Sequence, residues 1–219
     1  MKIGVLFDLD GTLLNTLGDI RGAVNHVLEM YDYPPKTLEE VKSFISNGAI
    51  QMIRLALAGR RSEEDIEGAV QEWRSYYGAH AMEKTKPYAG ITEALGEISK
   101  KYPVAVVSNK PDTLLKPLVA KFFPGTYALG EQAGTPRKPA PDMVLKAMAA
   151  IGVDTCIYVG DSDVDVVTAA NLGVPCISVT WGFREKSCLV EAGGKIFCDD
   201  PKDLPAMIET LAKGLLQNS

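Results

Sequence analysis

Short apolar runs alternate along the chain with longer segments in which apolar residues recur at helical spacing. The runs that predict buried strands cover residues 3–7, 104–107, 156–159 and 176–179, with a weaker one at 127–130. Segments with helical periodicity lie between them at residues 91–101, 113–122 and 142–151. This alternation predicts an α/β fold, a doubly wound parallel sheet flanked by helices. In such sheets ligands bind outside the carboxyl ends of the strands.

The stretch between the first two strands breaks this alternation. It has no convincing strand, but it has four helical segments, at residues 16–31, 37–45, 49–58 and 62–81. We therefore expect residues 1–14 and 83–219 to form the α/β core and residues 15–82 to form an inserted helical cap. The expected hinges are residues 13–17 and 83–88, where Pro87 limits the continuation of a helix. A cap that closes over a site excludes water and adds residues that select the substrate.

Composition narrows the function classes. A formal charge of -5 over 219 residues argues against a dedicated nucleic-acid binder, and no apolar run approaches the length of a membrane span. The four cysteines form no CxxC pair and the chain has two histidines, which excludes the common zinc spacings and disfavours a disulfide framework. We expect a cytoplasmic protein that binds a small anionic metabolite and neither nucleic acid nor membrane. Composition leaves open whether it is a monomer or a homodimer.

The most informative residues for chemistry are the two acids that end the first predicted strand, Asp8 and Asp10. Side chains alternate along a strand, so both carboxylates point to one side and Leu9 to the other. One carboxylate can attack phosphorus to form a mixed anhydride, while the other protonates the leaving group and then activates water. Two acids would repel a phosphate dianion, so a divalent cation is implied, and hard oxygen ligands favour Mg2+.

Two later segments carry groups that suit a phosphate. Ser108 and Asn109 follow a predicted strand, where a hydroxyl and an amide can donate hydrogen bonds to phosphate oxygens, although a serine there can equally cap a helix. Lys138 lies in a proline-rich loop, where a held cation would neutralise the attacking carboxylate and the phosphoryl group. A lysine in such a loop is commonly just solvated, and the adjacent Arg137 could take the same role.

A second acidic cluster, residues 160–165, follows the predicted strand at 156–159. Asp161 stands at the strand end, as a metal ligand should, and Asp165 lies one helical turn further on, within reach of Lys138 or a metal-bound water. The same acids would also stabilise the start of a helix. Taken alone, the cluster allows either interpretation.

Together these segments resemble the four motifs of the haloacid dehalogenase superfamily: a DxDGT opening, a strand-end Ser or Thr, a loop Lys and a GDSxxD cluster. They occur here in that order, at residues 8–12, 108, 138 and 160–165, and the inserted helices resemble the C1 cap of that family. The resemblance implies that Asp8 is the nucleophile, and that Asp10 is the general acid/base and a magnesium ligand through its main-chain carbonyl. The other residues it implies are Asp161 as a second carboxylate on the metal, Ser108 and Lys138 as phosphoryl-binding groups, and Asp165 as an outer support of the site.

The resemblance also bears on the substrate. Asp10 favours a phosphatase or a phosphomutase, since dehalogenases of the superfamily lack the acid at that position. Residues 44–57 resemble the glycine-bearing substrate loop and helix of phosphoglycolate phosphatases. There Gly48 would let the backbone approach a small ligand, and Arg54 could meet a substrate carboxylate. The alternative is an ordinary helix–helix turn with a surface arginine.

The sequence thus predicts a magnesium-dependent phosphomonoester hydrolase that forms an aspartyl-phosphate on Asp8 and acts on a small phosphorylated metabolite, with 2-phosphoglycolate a candidate. The nearest alternative is a sugar phosphomutase of the same superfamily. An alternative of another class is a non-catalytic phosphate-binding or regulatory module. Receiver domains also combine a parallel sheet, an acidic pocket and a lysine, but they lack a large cap after the first strand.

Overall fold

The computed structural model describes residues 1–45 and 48–217. Contacts within the chain divide it into two compact units, one formed by Met1–Leu14 with Pro87–Ser219 and the other by Asn15–Lys86. The chain therefore returns to the first unit at residue 87, whereas the sequence led us to expect this return at residue 83. None of the helices in the described ranges is long and apolar enough to cross a membrane.

The larger unit is built on a six-stranded sheet in which all neighbouring strands are parallel. The strands of the protein are β1 (Ile3–Phe7), β2 (Leu14–Asn15), β3 (Lys86–Pro87), β4 (Val104–Pro111), β5 (Tyr127–Glu131), β6 (Thr155–Gly160), β7 (Cys176–Val179) and β8 (Ile196–Cys198). The six-stranded order is β5-β4-β1-β6-β7-β8, and β2 pairs with β3 separately. Because the strand order reverses at β1, the carboxyl ends of β1, β4 and β6 meet at the point where such sheets bind ligands.

Register and burial fix the centre of this sheet. Phe7 of β1 aligns with Val106 of β4 and with Val159 of β6, and all five residues of β1 are buried. A strand covered on both faces is continuously apolar, which is the pattern the sequence showed at residues 3–7. The predicted fold class, an α/β parallel sheet flanked by helices, is confirmed.

Helices cover the sheet and form the smaller unit. In the smaller unit they are α1 (Leu17–Met30), α2 (Leu38–Phe44), α3 (Gly48–Ala56) and α4 (Glu63–His80). In the larger unit they are α5 (Ile91–Ser99), α6 (Asp112–Phe122), α7 (Asp142–Ile151), α8 (Asp163–Leu172), α9 (Lys186–Glu191) and α10 (Leu204–Gln217), with a short 3-10 helix at Pro201–Asp203. Met143 and Ala147 of α7 bury their side chains against Leu6, Val107 and Tyr158 of the sheet. This apolar layer supports the strands that carry the polar residues described below.

The smaller unit has its own caps and core. α2 and α4 each begin with a capping box, Thr37 with Glu40 and Ser62 with Asp65, which satisfies backbone N–H groups of the first turn. Within α4, Trp73 stacks on Tyr77 with ring centroids 5.1 Å apart, and both side chains are buried. The aromatic residues of α4 at these two positions therefore serve packing.

Within the six-stranded sheet, the strands differ from the sequence prediction mainly in two places, and the two-residue strands β2 and β3 were not predicted either. β8 was not predicted, because three residues are too few to show a strand period. β4 runs to Pro111, four residues beyond its predicted end, and its pairing with β5 shifts register between Val107 and Pro111. Ser108 and its neighbours therefore lie inside an irregular strand end rather than in the loop after it.

Candidate functional site

Three neighbouring strands bring the predicted serine and two of the predicted acids to one sheet edge. Asp8 directly follows β1, and its N–H donates to the Val159 carbonyl at 2.9 Å, so it is still held by the sheet. Asp161 directly follows β6. Ser108 lies on β4, directly after the last residue before the register shift, Val107. All three are buried, with relative exposures of 8% for Asp8, 3% for Ser108 and 1% for Asp161.

Lys138 contacts three polar side chains at this edge of the sheet. Its ammonium donates to Asp8 Oδ1 at 2.8 Å, to Asp165 Oδ1 at 2.7 Å and to the Tyr158 hydroxyl at 3.0 Å. Burial opposes the charge, but the carboxylates of Asp165 and Asp8 outweigh it and raise the pKa of Lys138 well above its ordinary value. Lys138 is thus a fixed cation against the end of the central strand.

The loop that carries Lys138 is held by a neighbouring strand. The Asn109 side chain donates to the Lys138 carbonyl and accepts from the Lys138 N–H, both at 2.8 Å. The sequence predicted Asn109 as a phosphate ligand, whereas the structure engages both ends of its amide with this main chain. Arg137, the rival for the role of Lys138, is exposed. The residue placed against Asp8 is therefore Lys138.

The Asp165 carboxylate contacts both Lys138 and the first turn of α8. Its Oδ2 accepts from the Ser162 N–H at 3.1 Å while the Asp165 N–H donates to Ser162 Oγ at 3.3 Å, and these two bonds form the capping box of α8. The Ser162 hydroxyl also donates to Asp165 Oδ2 at 2.6 Å. Asp165 Oδ1 accepts from Lys138, and the residue is fully buried. Helix capping and contact with Lys138 were alternatives in the sequence, but one carboxylate makes both contacts through its two oxygens.

Asp161 is held in a cradle of backbone and hydroxyl donors. Its Oδ1 accepts from the Thr12 hydroxyl at 2.9 Å and its Oδ2 from the Phe183 N–H at 2.7 Å. Glycines make room for it. A Cβ at Gly11 would lie 2.2 Å from Asp161 Oδ2, and one at Gly182 would lie 2.2 Å from Asp161 Cβ. Gly11 also has a φ of +89°, a backbone conformation that favours glycine independently of the space around it.

The three buried carboxylates crowd one another. Single oxygen atoms of Asp8, Asp161 and Asp165 all lie within 4.8 Å of one another. Burial raises the pKa of Asp8 to about 6; Lys138 opposes this, and the charges of Asp165 and Asp10 add to it. Burial, with Asp165 and Asp8 nearby, also raises the pKa of Asp161 well above its usual range. Three carboxylates and one ammonium sum to two negative charges when all are ionised, so the cluster favours a cation.

Asp10 has a cationic partner that the sequence did not suggest. Lys110 Nζ donates to both carboxylate oxygens of Asp10, at 3.0 and 2.9 Å. The Lys110 side chain is 3% exposed and that of Asp10 is 14% exposed. Lys110 lies two residues after Ser108 on β4, and its N–H lies 3.4 Å from Ser108 Oγ. The ion pair depends on β4 and β1 being neighbours in the sheet, so the sequence carries no local signal for it.

Two further residues were missed for other reasons. Tyr158 was counted as an apolar strand residue, but its hydroxyl donates to the Val107 carbonyl at 3.1 Å and accepts from Lys138. Thr12 belongs to the quoted DxDGT motif, and its bond to Asp161 needs a partner 149 residues away in sequence. Neither contact has a local pattern.

The predicted substrate residues Gly48 and Arg54 lie in the smaller unit. Gly48 is the first residue of α3 and has a φ of +81°. Arg54 pairs with Glu63 at 2.6 Å, and its side chain is 36% exposed. Ser46 and Asn47 of the same predicted loop lie outside the described residues. Substrate contact by Gly48 and Arg54 stays a prediction.

Comparison with known proteins agrees with this arrangement. The model of the haloacid dehalogenase-like hydrolase family matches residues 5–179. Phosphoglycolate phosphatase 1 of Pseudomonas aeruginosa is 32% identical over 212 residues, which cover 91% of this chain and 77% of that protein. A phosphoglycolate phosphatase of Agrobacterium fabrum is 33% identical over 216 residues, or 94% of this chain and 92% of its own.

Solved structures show the same architecture. A candidate phosphoglycolate phosphatase from Lactobacillus delbrueckii subsp. bulgaricus superposes with a TM-score of 0.88 at 33% identity, covering 94% of this chain and 97% of its own. A candidate β-phosphoglucomutase from Bacteroides vulgatus gives a TM-score of 0.76 at 20% identity, covering 97% of this chain and 89% of its own, and at that identity it speaks for the fold alone. The family match, the relatives and the site geometry lead to one conclusion: the chain belongs to the haloacid dehalogenase-like hydrolases and is an enzyme of the phosphatase type.

Proposed function

We propose that this protein hydrolyses a small phosphomonoester by transferring its phosphoryl group to Asp8. The observation that carries the proposal is the contact of Lys138 with Asp8 at the end of the central strand. A carboxylate that is fixed by a buried cation at a ligand-binding sheet edge is oriented for in-line attack and needs no reorganisation at the moment of reaction.

The chain's own residues can carry both half-reactions. An Asp8 oxygen attacks phosphorus, the bond to the leaving oxygen breaks, and Asp10 gives that oxygen a proton. Water then attacks the phosphorus, the bond to Asp8 breaks, and Asp10 takes the proton from the water. The products are the alcohol and inorganic phosphate, and both acids are restored. Asp10 lies two residues after Asp8, just beyond the end of β1, which supports this division of roles.

The phosphoryl oxygens would be held by Ser108 and Lys138. Ser108 Oγ accepts a long bond from the Lys110 N–H, so its own O–H can donate. The three N–H groups of Lys138 point to Asp8, Asp165 and Tyr158. Lys138 must therefore share or exchange one of these bonds when a phosphoryl oxygen arrives.

The residues at this edge fit Mg2+. Three buried carboxylates and one ammonium leave a net negative charge that a divalent cation would neutralise, and carboxylate and carbonyl oxygens are the donors magnesium prefers. Asp8, Asp161 and the main-chain carbonyl of Asp10 would hold it. Asp165 supports them, because both of its oxygens already accept bonds. When bound, Mg2+ supplies charge neutralisation to the phosphoryl group.

We propose 2-phosphoglycolate as the first substrate to test. Its support is that relatives 31–33% identical over most of their length are called phosphoglycolate phosphatases. Catalytic efficiency should be compared across a panel of small phosphorylated metabolites, with phosphate release as the readout. A flat profile would indicate a generalist. Isomerised product without phosphate release, and dependence on a bisphosphate activator, would indicate a phosphomutase instead.

The mechanism is tested by Asp8→Asn with nitrophenyl phosphate and Mg2+. We expect phosphate release to fall roughly 10³-fold or more, because the amide cannot act as the nucleophile. Thermal unfolding of the variant shows whether the fold is retained. Equal turnover by the variant and the wild type would end the proposal. Tight phosphate binding without hydrolysis of any phosphate in the panel would favour a non-catalytic module.

A further inference from the structure

Lys110 is a buried lysine that the proposed chemistry does not use. Both oxygens of one carboxylate, Asp10, accept bonds from its ammonium at 3.0 and 2.9 Å. Its side chain is 3% exposed, and 100 residues separate the partners in sequence. An exposed pair on the following helix, Lys116 with Asp112 at 2.6 Å, shows the contrast, since Lys116 is 57% exposed.

The burial of this pair needs a reason. Transferring an ammonium out of water costs free energy, which an ion pair offsets only when its geometry is good. An apolar residue of the same length would pack there without this desolvation cost. The position also matters, because Lys110 lies on β4 two residues after Ser108, and its partner Asp10 lies two residues after Asp8. The Lys110 ammonium therefore contacts the acid that lies two residues after the proposed nucleophile.

The pair fixes the orientation of the Asp10 carboxylate. Both of its oxygens accept bonds from one ammonium, which holds the plane of the group. A base must be held within reach of the proton that it takes from water. A leaving group that departs without a proton needs no such acid, so an aryl phosphate isolates the step in which water attacks.

We propose that Lys110 is a positioning residue that holds Asp10 as the base for hydrolysis of the phosphorylated Asp8. This inference rests on the proposed function. In that step the water oxygen bonds to phosphorus, the bond from phosphorus to Asp8 breaks with its electron pair returning to Asp8, and the water proton passes to Asp10. Lys110 exchanges no atom and no electron pair; it fixes the acceptor.

The test is the pre-steady-state and steady-state kinetics of Lys110→Met with nitrophenyl phosphate and Mg2+. Nitrophenolate leaves without a proton, so formation of the phosphoenzyme should be almost unchanged. We expect kcat to fall about 10–100-fold, KM to fall with it, and kcat/KM to stay within about threefold. The first turnover should then appear as a burst of nitrophenol approaching one per active site.

Three other variants complete the design. Lys110→Arg keeps two N–H donors and should recover part of the lost kcat. Lys116→Met breaks the exposed pair and should match the wild type. Lys110→Gln is measured in the same way if Lys110→Met does not fold, because it keeps polar donors in the cavity.

The outcomes separate this inference from the function on which it rests. A rise in KM with a fall in kcat/KM would show that Lys110 contacts the substrate, and would overturn the inference. So would an equal loss in every parameter without a burst, or no change at all. Asp10→Asn gives the reference: if it shows the burst and Lys110→Met does not, only the inference fails. If Asp8→Asn keeps full activity, the proposed function itself fails.

Discussion

Lys138 in the larger unit and Arg54 in the smaller one are both cations that the sequence assigned to substrate binding, and they are built in opposite ways. The Lys138 side chain is 2% exposed and has three fixed partners. Arg54 is 36% exposed and its partner Glu63 is 77% exposed. A buried pair loses several kcal/mol when one partner is removed, whereas an exposed pair contributes about 0–1 kcal/mol.

This difference fits the proposal that the two units take different parts in the reaction. The proposed reacting groups are buried and fixed by ion pairing with Lys138, so their geometry is set before a substrate binds. Arg54 can change partner at little cost, so a residue of this kind can adapt to a ligand or be replaced without loss of the fold. The comparison therefore predicts that replacing Lys138 lowers both turnover and the free energy of unfolding. Replacing Arg54 should change the selectivity for substrates and leave the free energy of unfolding nearly constant.

The largest effect is expected from Lys138→Met. The variant leaves the carboxylates of Asp8 and Asp165 buried without their cation, so we expect it to lose about 3–5 kcal/mol of unfolding free energy. Turnover of nitrophenyl phosphate should fall about 10²–10³-fold. Urea unfolding and steady-state kinetics measure the two effects.

Arg137→Met is the matched control, because it removes the neighbouring, exposed cation. It should change stability by no more than about 0.5 kcal/mol and leave turnover intact. If the two variants behaved alike, the buried lysine would not be the centre of the site.

A smaller effect is expected from Gly182→Ala, which tests the cradle of Asp161. The new Cβ would lie 2.2 Å from Asp161 Cβ and 2.4 Å from its Oδ2, so one group must move. We expect a loss of about 1–3 kcal/mol of stability and a Mg2+ requirement raised about tenfold. Activity is measured against Mg2+ concentration, beside thermal unfolding.

Gly96→Ala in α5 provides the comparison, since nothing lies within 4 Å of its Cβ. Alanine there should stabilise the helix by about 0.5–1 kcal/mol and leave the Mg2+ dependence unchanged. A Gly182→Ala enzyme with normal Mg2+ dependence would show that Asp161 does not contribute to a metal site.

The smallest effect on stability is expected from Arg54→Gln. Because its ion pair is exposed, the unfolding free energy should change by less than about 1 kcal/mol. If Arg54 meets a substrate carboxylate, KM for 2-phosphoglycolate should rise about tenfold while KM for nitrophenyl phosphate stays nearly constant. The readout is the ratio of the two KM values.

Arg60→Gln, in an exposed position of the same unit, should leave that ratio unchanged. An unchanged ratio in Arg54→Gln as well would remove Arg54 from the substrate contacts and leave it as a surface arginine.

The fold was predictable because its strands are continuous apolar runs. β1, β4, β6 and β7 each contain such a run, as expected of strands covered on both faces. β5 gives a weaker run, because it is partly exposed. The three residues of β8 carry too little pattern. The irregular end of β4 could not be seen either, because a register shift depends on the partner strand.

The sequence predicts those residues of the candidate site that belong to short local motifs. Asp8 and Asp161 stand at the ends of predicted strands and Lys138 stands in a proline-rich loop, and the structure brings the three together. The pairing of Lys110 with Asp10 was not predictable, because it depends on β4 lying next to β1 in the sheet. Local spacing thus identifies the reacting groups, whereas the partners that tune them depend on strand order.

The most direct test of the central claim is to locate the phosphoryl group on the chain. Asp10→Asn, which should form the phosphoenzyme and hydrolyse it slowly, is mixed with nitrophenyl phosphate and Mg2+, quenched in acid, digested and sequenced by tandem mass spectrometry. We predict a phosphorylated Asp8 in the N-terminal peptide, in an amount that matches the burst of nitrophenol. A burst with the phosphoryl group on another residue, or turnover with no phosphorylated peptide, would contradict the account.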